Sequence, residues 1–369
     1  MKVAQSQSNL ATLQAALKRR NRDAILITQP ENRRYISGFT ATDAAITESS
    51  GVLLVPAKDT PLLLTDSRYE LQAKKEAAGF DVRLYPDGLM ALLEKLLPRL
   101  GIGKLAFESH YLLHSTSVSL RKVADKVGSE LLPVTNVMEK MRLSKTAPEL
   151  AAIKKSNTLN EEVFKQVYDE LRPGMTERQV ALRIEWLMKE KGASRPSFET
   201  IVAAGPNGAL PHAVPTDRQI NTGEPIVIDM GAIVDGYCSD MTRTVVLGTP
   251  DDKTIKLFRL VRKAQLAGIA AIRAGVVAKD VDRAARSIIR DAGYGDNFGH
   301  GLGHGVGLAV HEAPSLNKKN RKELRCGMVV TVEPGVYLPD WGGIRLENMV
   351  LITEEGCEVL TRNTIFLDL

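Results

Sequence analysis

Three of the six histidines of this 369-residue chain fall within fifteen residues. Residues 298–312 read FGHGLGHGVGLAVHE and carry His300, His304 and His311. Every second residue from 299 to 307 is glycine, and each glycine in a helix interior costs about 1 kcal/mol relative to alanine. The segment is therefore predicted to be a loop or strand whose backbone passes close to another group. A surface loop with incidental histidines is the alternative, which the clustering of three imidazoles disfavours.

Two carboxylates lie on a predicted β-hairpin. Residues 225–247, PIVIDMGAIVDGYCSDMTRTVVL, form two apolar, β-branched runs around Asp235-Gly236. An Asp-Gly dipeptide between such runs is typical of a tight hairpin turn. The midpoint between Asp229 and Asp240 falls almost on this turn. The two carboxylates are therefore predicted to face each other across the ribbon.

The same arrangement recurs later in the chain. Residues 329–352, VVTVEPGVYLPDWGGIRLENMVLI, carry Glu333 and Glu347 on either side of PDWGG. A carboxylate buried among apolar residues is costly unless it is paired or binds a metal. One arginine, Arg243 or Arg345, would neutralise one acid, whereas four related acids require a stronger positive centre. Carboxylates exposed to water at the rims of the two hairpins are the alternative.

Four carboxylates and one imidazole suit a pair of divalent metal ions about 3.5–4 Å apart. Oxygen-rich donors with a single nitrogen favour Mn²⁺, Co²⁺ or Zn²⁺, and metal availability contributes to the choice. Two such ions lower the pKa of a shared water and present hydroxide at neutral pH. The donor set therefore predicts hydrolytic chemistry at a dinuclear centre.

The elements that must position these groups repeat within the chain. Residues 171–192, LRPGMTERQVALRIEWLMKEKG, align without a gap on residues 272–293, IRAGVVAKDVDRAARSIIRDAG, and each copy is predicted to be a helix between two glycines. The repeat continues in the same order through four further matched pairs: His212 with His311, Gly223 with Gly327, Asp229 with Glu333, and Asp240 with Glu347. Two related halves sharing a pseudo-twofold axis are predicted, with the active site where they face each other.

The chain length predicts two domains. Residues 1–135 alternate helical and strand patterns, as in "DAILITQ", "TPLLLTD" and "LMALLEKLLPRLG", which indicates an α/β domain. Residues 136–369 form the second domain, which opens with a long helix from about residue 147, with Thr146 as its cap. The second domain, with its helices and repeated hairpins, is predicted to be α+β.

The composition limits the classes of protein to which this chain can belong. The start of the chain lacks the apolar run of a signal peptide, and no segment approaches the roughly 20 apolar residues of a membrane helix. The three cysteines are sparse and unpaired in motif, so a cytoplasmic location is expected. The net charge is +5, and the short basic clusters at 18–22 and 318–322 have no interleaved aromatic residues. No nucleic-acid or membrane partner is therefore expected.

Three segments resemble one family of enzymes. GHGLGHGVGLAVHEAP, VIDMGAIVDGYCSDMTRT and TVEPGVYLPDWGGIRLEN are similar to motifs of the M24 metallopeptidases, which have the pita-bread fold, and specifically of the Xaa-Pro peptidases, aminopeptidase P and prolidase. NRRYISGF at 32–39 and LLLTDSRYELQA at 62–73 resemble the creatinase-like N-terminal domain of that family. The resemblance covers the whole chain and implies an α/β creatinase-like domain followed by a pita-bread catalytic domain.

The resemblance also implies a role for each motif residue. The implied metal ligands are Asp229, Asp240, His304, Glu333 and Glu347. Glu333 is in addition the implied proton shuttle. His212 and His311 correspond to histidines that hold the substrate and the tetrahedral intermediate, and Arg345 to an arginine beside the metals. The implied substrate-binding residues are His300 and Tyr337.

The implied activity is hydrolysis of the peptide bond before proline in short proline-containing peptides, by a cytoplasmic homodimer with two divalent metal ions. An Xaa-Pro aminopeptidase is the first expectation and an Xaa-Pro dipeptidase the close alternative. A methionine aminopeptidase-like enzyme would normally lack the first 140 residues. Creatinase-type enzymes lose the metal carboxylates, which this chain keeps. A non-catalytic pita-bread binding module is the remaining alternative, and the intact ligand set argues against it.

Overall fold

The computed structural model describes residues 2–369, with side chains from residue 5 onward. Two compact units are present: the first ends at Met141 and the second spans Arg142–Leu369. The predicted domains, 1–135 and 136–369, differ from these units only in residues 136–141. That segment belongs with the first unit because Tyr35 donates a hydrogen bond from its OH to the carbonyl of Met141 over 3.2 Å. Within the described residues, no helix combines the length and apolar character needed to cross a membrane.

The first unit is built on one mixed sheet with helices packed against it, and the predicted α/β class is confirmed. Its strands are β1 Ala24–Ile27, β2 Val52–Pro56, β3 Leu62–Thr65, β4 Asp81–Leu84, β5 Lys104–Glu108 and β6 Glu130–Val134. Its helices are α1 Lys2–Arg19, α2 Pro30–Ser37, α3 Glu70–Glu76, α4 Leu89–Arg99, α5 His114–Val127 and α6 Val137–Met141. The strand order is β4-β3-β2-β1-β5-β6, with β1 parallel to β5 and antiparallel to β2. β1, β2 and β3 are buried along their whole length, as their unbroken apolar runs predict.

The second unit packs pairs of long helices against antiparallel sheets. Its helices are α7 Ala147–Glu170, α8 Glu177–Glu190, α9 Asp252–Ala270 and α10 Ala278–Ile289. Its strands are β7 Arg195–Pro196, β8 Ile201–Ala204, β9 Pro225–Met230, β10 Ala232–Val234, β11 Tyr237–Cys238, β12 Met241–Val246, β13 Gly303–Gly305, β14 Glu312–Leu316, β15 Val329–Val332, β16 Gly335–Leu338, β17 Gly342–Arg345, β18 Asn348–Ile352 and β19 Cys357–Val359. Two of its sheets have the orders β12-β9-β8 and β14-β13-β15-β18-β19. Each sheet shares an apolar core with one helix pair, α7–α8 and α9–α10 respectively.

The predicted long helix begins where the sequence indicated. α7 starts directly after Thr146, whose backbone N–H donates to Oε2 of Glu149 over 2.8 Å. This is one arm of a capping box, which satisfies a backbone donor at the helix start.

The internal repeat is confirmed by matching backbone contacts. Gly174 and Gly275, which precede α8 and α10, have φ angles of 90° and 82°. The N–H of Gly174 donates to the carbonyl of Ile220, and the N–H of Gly275 to that of Leu324, over 2.9 Å in both halves. The aligned glycines therefore perform the same turn in each half, a conformation that favours glycine.

The two hairpins differ in register. In the first, Asp235 and Gly236 have φ angles of 54° and 88°, the positive values of the predicted tight turn. This turn pairs Thr242 with Asp229, so Asp229 and Asp240 are not directly opposed and that prediction is wrong. In the second hairpin the ladders β15–β18 and β16–β17 share one register, which places Glu333 directly opposite Glu347.

Candidate active site and metal centre

Three predicted ligands converge in the second unit. Asp240, His304 and Glu347 each offer a ligand atom, and these atoms lie within 4.8 Å of one another. The Nε2 atom of His304 lies 3.6 Å from Oδ2 of Asp240 and 3.4 Å from Oε1 of Glu333. Asp240 and Glu347 are buried. This spacing matches the separation of donors around a cation rather than that of acids facing water.

The four predicted carboxylate ligands sit near strand ends or in interruptions between strands. Asp229 lies near the end of β9, and Asp240 lies between β11 and β12. His304 is the central residue of the short strand β13, whose flanking glycines lie against backbone. Glu333 and Glu347 occupy the gaps between β15 and β16 and between β17 and β18. Such gaps free the side chains from the regular alternation of a sheet, so carboxylates from different strands point to one place.

Two threonines orient the acids. Thr331 accepts a hydrogen bond from the backbone N–H of His304 over 3.0 Å and donates its own to Oε1 of Glu333 over 3.1 Å. Thr242 donates to Oε2 of Glu347 over 2.8 Å. Sequence reasoning missed both threonines. For Thr331 the sequence did offer a signal: it lies two residues before Glu333, and alternate residues of a strand point to the same face.

His304 presents a free nitrogen to the acids. Its Nδ1 lies 3.1 Å from the carbonyl of Gly305, so Nδ1 carries the proton and donates it there. Burial lowers the pKa of His304 to about 4. The ring is therefore neutral at pH 7 and directs the lone pair of Nε2 at Asp240 and Glu333, which is the form that binds metals.

Without bound cations, the clustered carboxylates are difficult to ionise at the same time. Burial raises the pKa of Asp240 and of Glu347 well above the ordinary values, and neighbouring carboxylates raise them further. Burial raises the pKa of Glu333 to about 8, against the opposing charge of Arg345. A cluster of mutually repelling buried acids is the electrostatic signature of a cation site.

Two buried oxygens support the same conclusion. Oδ1 of Asp229 and Oε1 of Glu347 have no hydrogen-bond partner among the described residues although both atoms are inaccessible to solvent. A buried acceptor without a partner costs about 1–3 kcal/mol. Divalent cations would satisfy both atoms, so the donor set fits such ions.

Arg345 links Asp229 to a second group of residues. Its side chain is buried, Nη2 donates to Oδ2 of Asp229 over 2.7 Å, and Nη1 donates to the OH of Tyr337 over 3.0 Å. The Tyr337 hydroxyl in turn donates to Nε2 of His300 over 2.9 Å, because Nδ1 of His300 donates to Gly301. Burial lowers the pKa of His300 to about 4, which agrees with this neutral tautomer. The predicted substrate-binding pair therefore lies in one hydrogen-bonded chain with the predicted arginine.

The remaining histidines border the same space. The ring of His311 packs edge-on against that of His304, with ring centres 4.3 Å apart. Burial lowers the pKa of His311, and His212 lies close enough to lower it further. A cavity of about 590 Å³ is lined by all ten residues predicted from the sequence. These residues are His212, Asp229, Asp240, His300, His304, His311, Glu333, Tyr337, Arg345 and Glu347.

Other lining residues carried no signal in the sequence. Phe198, Pro211 and Val214 give the cavity apolar walls, and Ser315 and Asn317 add polar groups. Ser315 lies within β14 and the other four lie on connections, and none has a counterpart in the acid and histidine pattern. Their contribution depends on how those connections fold over the cavity.

Comparison with known proteins places the chain among peptidases. Residues 151–354 match the model of metallopeptidase family M24, and residues 9–144 match that of the creatinase/prolidase N-terminal domain. The chain belongs to metallopeptidase family M24. This M24 peptidase has the predicted creatinase-like domain and pita-bread catalytic domain, and divalent metal ions are the cofactors that such a family implies.

Relatives of this M24 peptidase align along almost all of their length. An Xaa-Pro dipeptidase from Pyrococcus horikoshii is 37% identical over 342 residues, 92% of this chain and 93% of the relative. The solved structure of an Xaa-Pro dipeptidase from Bacillus anthracis superimposes with a TM-score of 0.90 at 37% identity, covering 97% and 98% of the two chains. That of an X-Pro aminopeptidase from Thermotoga maritima gives 0.84 at 37% identity, covering 94% and 98%.

Proposed function

We propose that this M24 peptidase is an Xaa-Pro dipeptidase that uses two divalent cations, Mn²⁺, Co²⁺ or Zn²⁺. The observation that carries the proposal is the convergence of Asp240, His304 and Glu347 on one cavity with three further histidines. Xaa-Pro dipeptidases among the relatives, which align over almost their full length, support a dipeptide substrate. They favour the dipeptidase alternative over the aminopeptidase that the sequence had placed first.

The cations would be held by the five predicted ligands. Asp229 and Glu347 would offer the two buried oxygens that have no other partner among the described residues. Asp240, Glu333 and the Nε2 atom of His304 complete the set. When bound, the cations supply Lewis acidity to the scissile carbonyl and to the attacking water.

Glu333 moves the proton in the proposed reaction. Its carboxylate accepts a proton from the attacking water and delivers it to the proline nitrogen, because an amide nitrogen leaves poorly as an anion. In the chain alone burial raises the pKa of this carboxyl, so the carboxylate has a strong affinity for a proton. Thr331 fixes one of its oxygens beside His304.

The cavity histidines stabilise charge and hold the substrate. His311 and His212 donate hydrogen bonds to the substrate and to the oxygen on which negative charge develops. The paired ring of His300 and hydroxyl of Tyr337 line the substrate side of the cavity. Arg345 acts by holding Asp229 in place.

An Xaa-Pro aminopeptidase is the second candidate, and one feature of the cavity favours it. A dipeptide presents a free carboxylate after proline, which arginine or lysine binds best. Arg345 is the single arginine or lysine among the described residues that line the cavity, and it is already paired with Asp229. Binding of that carboxylate therefore depends on neutral donors such as Ser315, which suit the amide of a longer peptide equally well.

Comparing Ala-Pro with Ala-Pro-Ala on the Mn²⁺-loaded chain tests the proposal. A dipeptidase gives a kcat/KM on Ala-Pro at least tenfold above that on Ala-Pro-Ala, and the reverse ratio identifies an aminopeptidase. Ala-Ala and Met-Ala-Ser serve as controls for a requirement for proline. Failure of the wild type to exceed D240N on either proline peptide would contradict both candidates.

A homodimer and a cytoplasmic location remain predictions from the sequence. Sedimentation of the purified chain, with a monomer mass of 40.3 kDa, checks the first of them.

A further inference from the structure

A buried ionic cluster lies next to the cavity and is not used by the proposed reaction. The carboxylate of Glu312 is paired with two cations, Nη2 of Arg142 and Nζ of Lys145, the latter at 2.8 Å. The side chains of Arg142, Lys145 and Glu312 are 4%, 2% and 8% exposed. Burying three charges is expensive unless their geometry is well satisfied. A cluster of this kind at the entry to the catalytic unit therefore calls for a functional explanation.

The two cations belong to a segment that is fixed to the core of the second half. Nζ of Lys145 also donates to the carbonyl of Arg142 over 3.0 Å. The backbone N–H of Lys145 donates to the carbonyl of Gly327 over 2.7 Å, and the hydroxyl of Ser144 to that of Cys326 over 3.0 Å. These contacts attach residues 142–145 to the start of β15. Arg142 and Lys145 are therefore held in place, and they in turn hold the carboxylate of Glu312.

Glu312 holds the turn between two site histidines. It is the first residue of β14, and it pairs with Gly305, the residue after His304. A Cβ atom at Gly307 would lie 2.0 Å from Oε1 of Glu312. The backbone of this turn thus rests directly on the carboxylate, which explains why position 307 carries glycine.

The side chain of His311, the residue before Glu312, is not held by a hydrogen bond among the described residues. Neither of its ring nitrogens has a hydrogen-bond partner among the described residues, and its ring contact is with His304. The His300 ring, in contrast, is held through both of its nitrogens. The orientation of His311 is therefore set by the packing of its ring on His304 and by its backbone, which the Glu312 carboxylate anchors.

We propose that Glu312, clamped by Arg142 and Lys145, is a positioning residue that fixes His311 over the cavity. The expected loss of kcat rests on the proposed function, whereas the expected change in the orientation of His311 rests on the geometry alone. Glu312 does not touch substrate; it acts through the backbone of the next residue. Misplacement of a catalytic group by about 1 Å costs on the order of 100-fold in rate.

The test compares E312Q, H311N and the double variant on the Mn²⁺-loaded chain with Ala-Pro. Glutamine keeps the shape of the side chain but removes its charge and sets an amide donor against two cations. E312Q is expected to lower kcat by roughly 10- to 100-fold in the wild-type background and by less than twofold in the H311N background. Equal losses in both backgrounds would overturn the inference, as would an unchanged kcat.

E149Q is the matched control. Glu149 is also buried, lies in the same entry region, and accepts hydrogen bonds from Thr146 and Tyr237 without contacting the histidines. E149Q is expected to lower the Tm and leave kcat within twofold. If E312Q does not fold, K145M keeps the Arg142–Glu312 pair and is expected to show a three- to tenfold loss of kcat that again disappears in H311N. Metal content, measured for each variant, must equal that of the wild type.

A readout without activity separates this inference from the proposed function. In the Zn²⁺-loaded chain with ¹³C-labelled histidine, the Cε1–H resonance of His311 is expected to broaden or split in E312Q, because the ring then samples several orientations. The resonances of His110 and His114, in the other unit, are expected to stay unchanged. An unperturbed His311 resonance overturns the inference whether or not the wild type cleaves Ala-Pro.

Discussion

Arg345 donates from Nη2 to Oδ2 of Asp229 over 2.7 Å, and this bond joins the second hairpin of the repeat to the first. The same two hairpins are also joined through Thr244 on β12, whose hydroxyl donates to the carbonyl of Arg345 over 2.9 Å. The predicted ligands come from both hairpins and from β13, so their convergence depends on how the two hairpins meet. Arg345 therefore fixes the relative position of the two hairpins that carry the predicted ligands.

Replacing Arg345 by methionine is expected to destabilise the metal-free chain by about 3–5 kcal/mol, because it leaves Asp229 buried without its cation. Urea unfolding followed by tryptophan fluorescence measures the change. R178M is the control, since the Arg178–Asp217 pair is exposed and its loss should leave the stability close to that of the wild type. Equal stability of R345M and wild type would show that the bond does not hold the hairpins together.

Replacing Asp240 by asparagine is expected to reduce bound metal from the two proposed ions per chain to one or none, and to abolish hydrolysis. Asp240 is buried beside His304, so its loss removes a charged donor that nothing else in the site replaces. Elemental analysis after dialysis against Mn²⁺ gives the stoichiometry. E199Q is the control, because Glu199 lines the same cavity but is exposed and lies outside the ligand cluster. Full metal occupancy in D240N would remove Asp240 from the ligand set.

The sequence predicted the parts of the site that follow from local patterning. The Asp-Gly turn, the helix that begins after Thr146 and the glycine turns of the two halves all depend on residues close in the chain. Helix α2 was missed, because the eight residues PENRRYIS bury Asn32 and Arg33 and lack an apolar face. The burial of such polar groups is decided by tertiary partners, which periodicity does not report.

The same distinction applies within the site. The acids and His304 could be named from their types and from the resemblance, but their partners could not. Arg345 bonds to Thr242 at a separation of 103 positions and to Pro211 at 134, contacts that exist only once the hairpins have met. Asp229 and Asp240 were wrongly predicted to lie directly opposite each other. The midpoint between them is only near the turn, and the register depends on which two residues form it.

The metal-free chain is expected to lose stability as the pH rises from 6.5 to 8. Glu333 has a folded pKa of about 8 and an ordinary value of 4.5, so in this window the unfolded chain has released a proton that the folded chain still holds. Stability from this group is complete below pH 4.5 and is lost as the pH passes about 8, on the order of 1 kcal/mol per pH unit. The raised pKa values of Asp240 and Glu347 act in the same direction.

Urea unfolding of the metal-free chain at pH 6.5, 7.2 and 8 measures this dependence. The lowered pKa values of His300 and His304, about 4, act in the opposite sense between pH 4 and 6.5, which is why the window starts at 6.5. E333Q should reduce the slope, leaving the part due to Asp240 and Glu347, and saturating Mn²⁺ should remove it, because bound cations keep the carboxylates ionised. A metal-free chain that is more stable at pH 8 than at 6.5 would contradict the assignment.

Alanine at Gly303 is expected to destabilise the chain by about 3 kcal/mol, whereas alanine at Gly299 should change stability by less than about 0.5 kcal/mol. A Cβ atom at 303 would lie 2.0 Å from the carbonyl oxygen of Thr331, a backbone atom that cannot move without displacing His304 and Glu333. A Cβ atom at 299 would have no neighbour within 4 Å. The two substitutions lie four residues apart in the same glycine-rich segment, so the unfolded chain gains the same restriction from each. Thermal unfolding of both variants in the metal-free form gives the comparison, and equal Tm values would mean that the alternating glycines serve flexibility rather than close approach of the backbone.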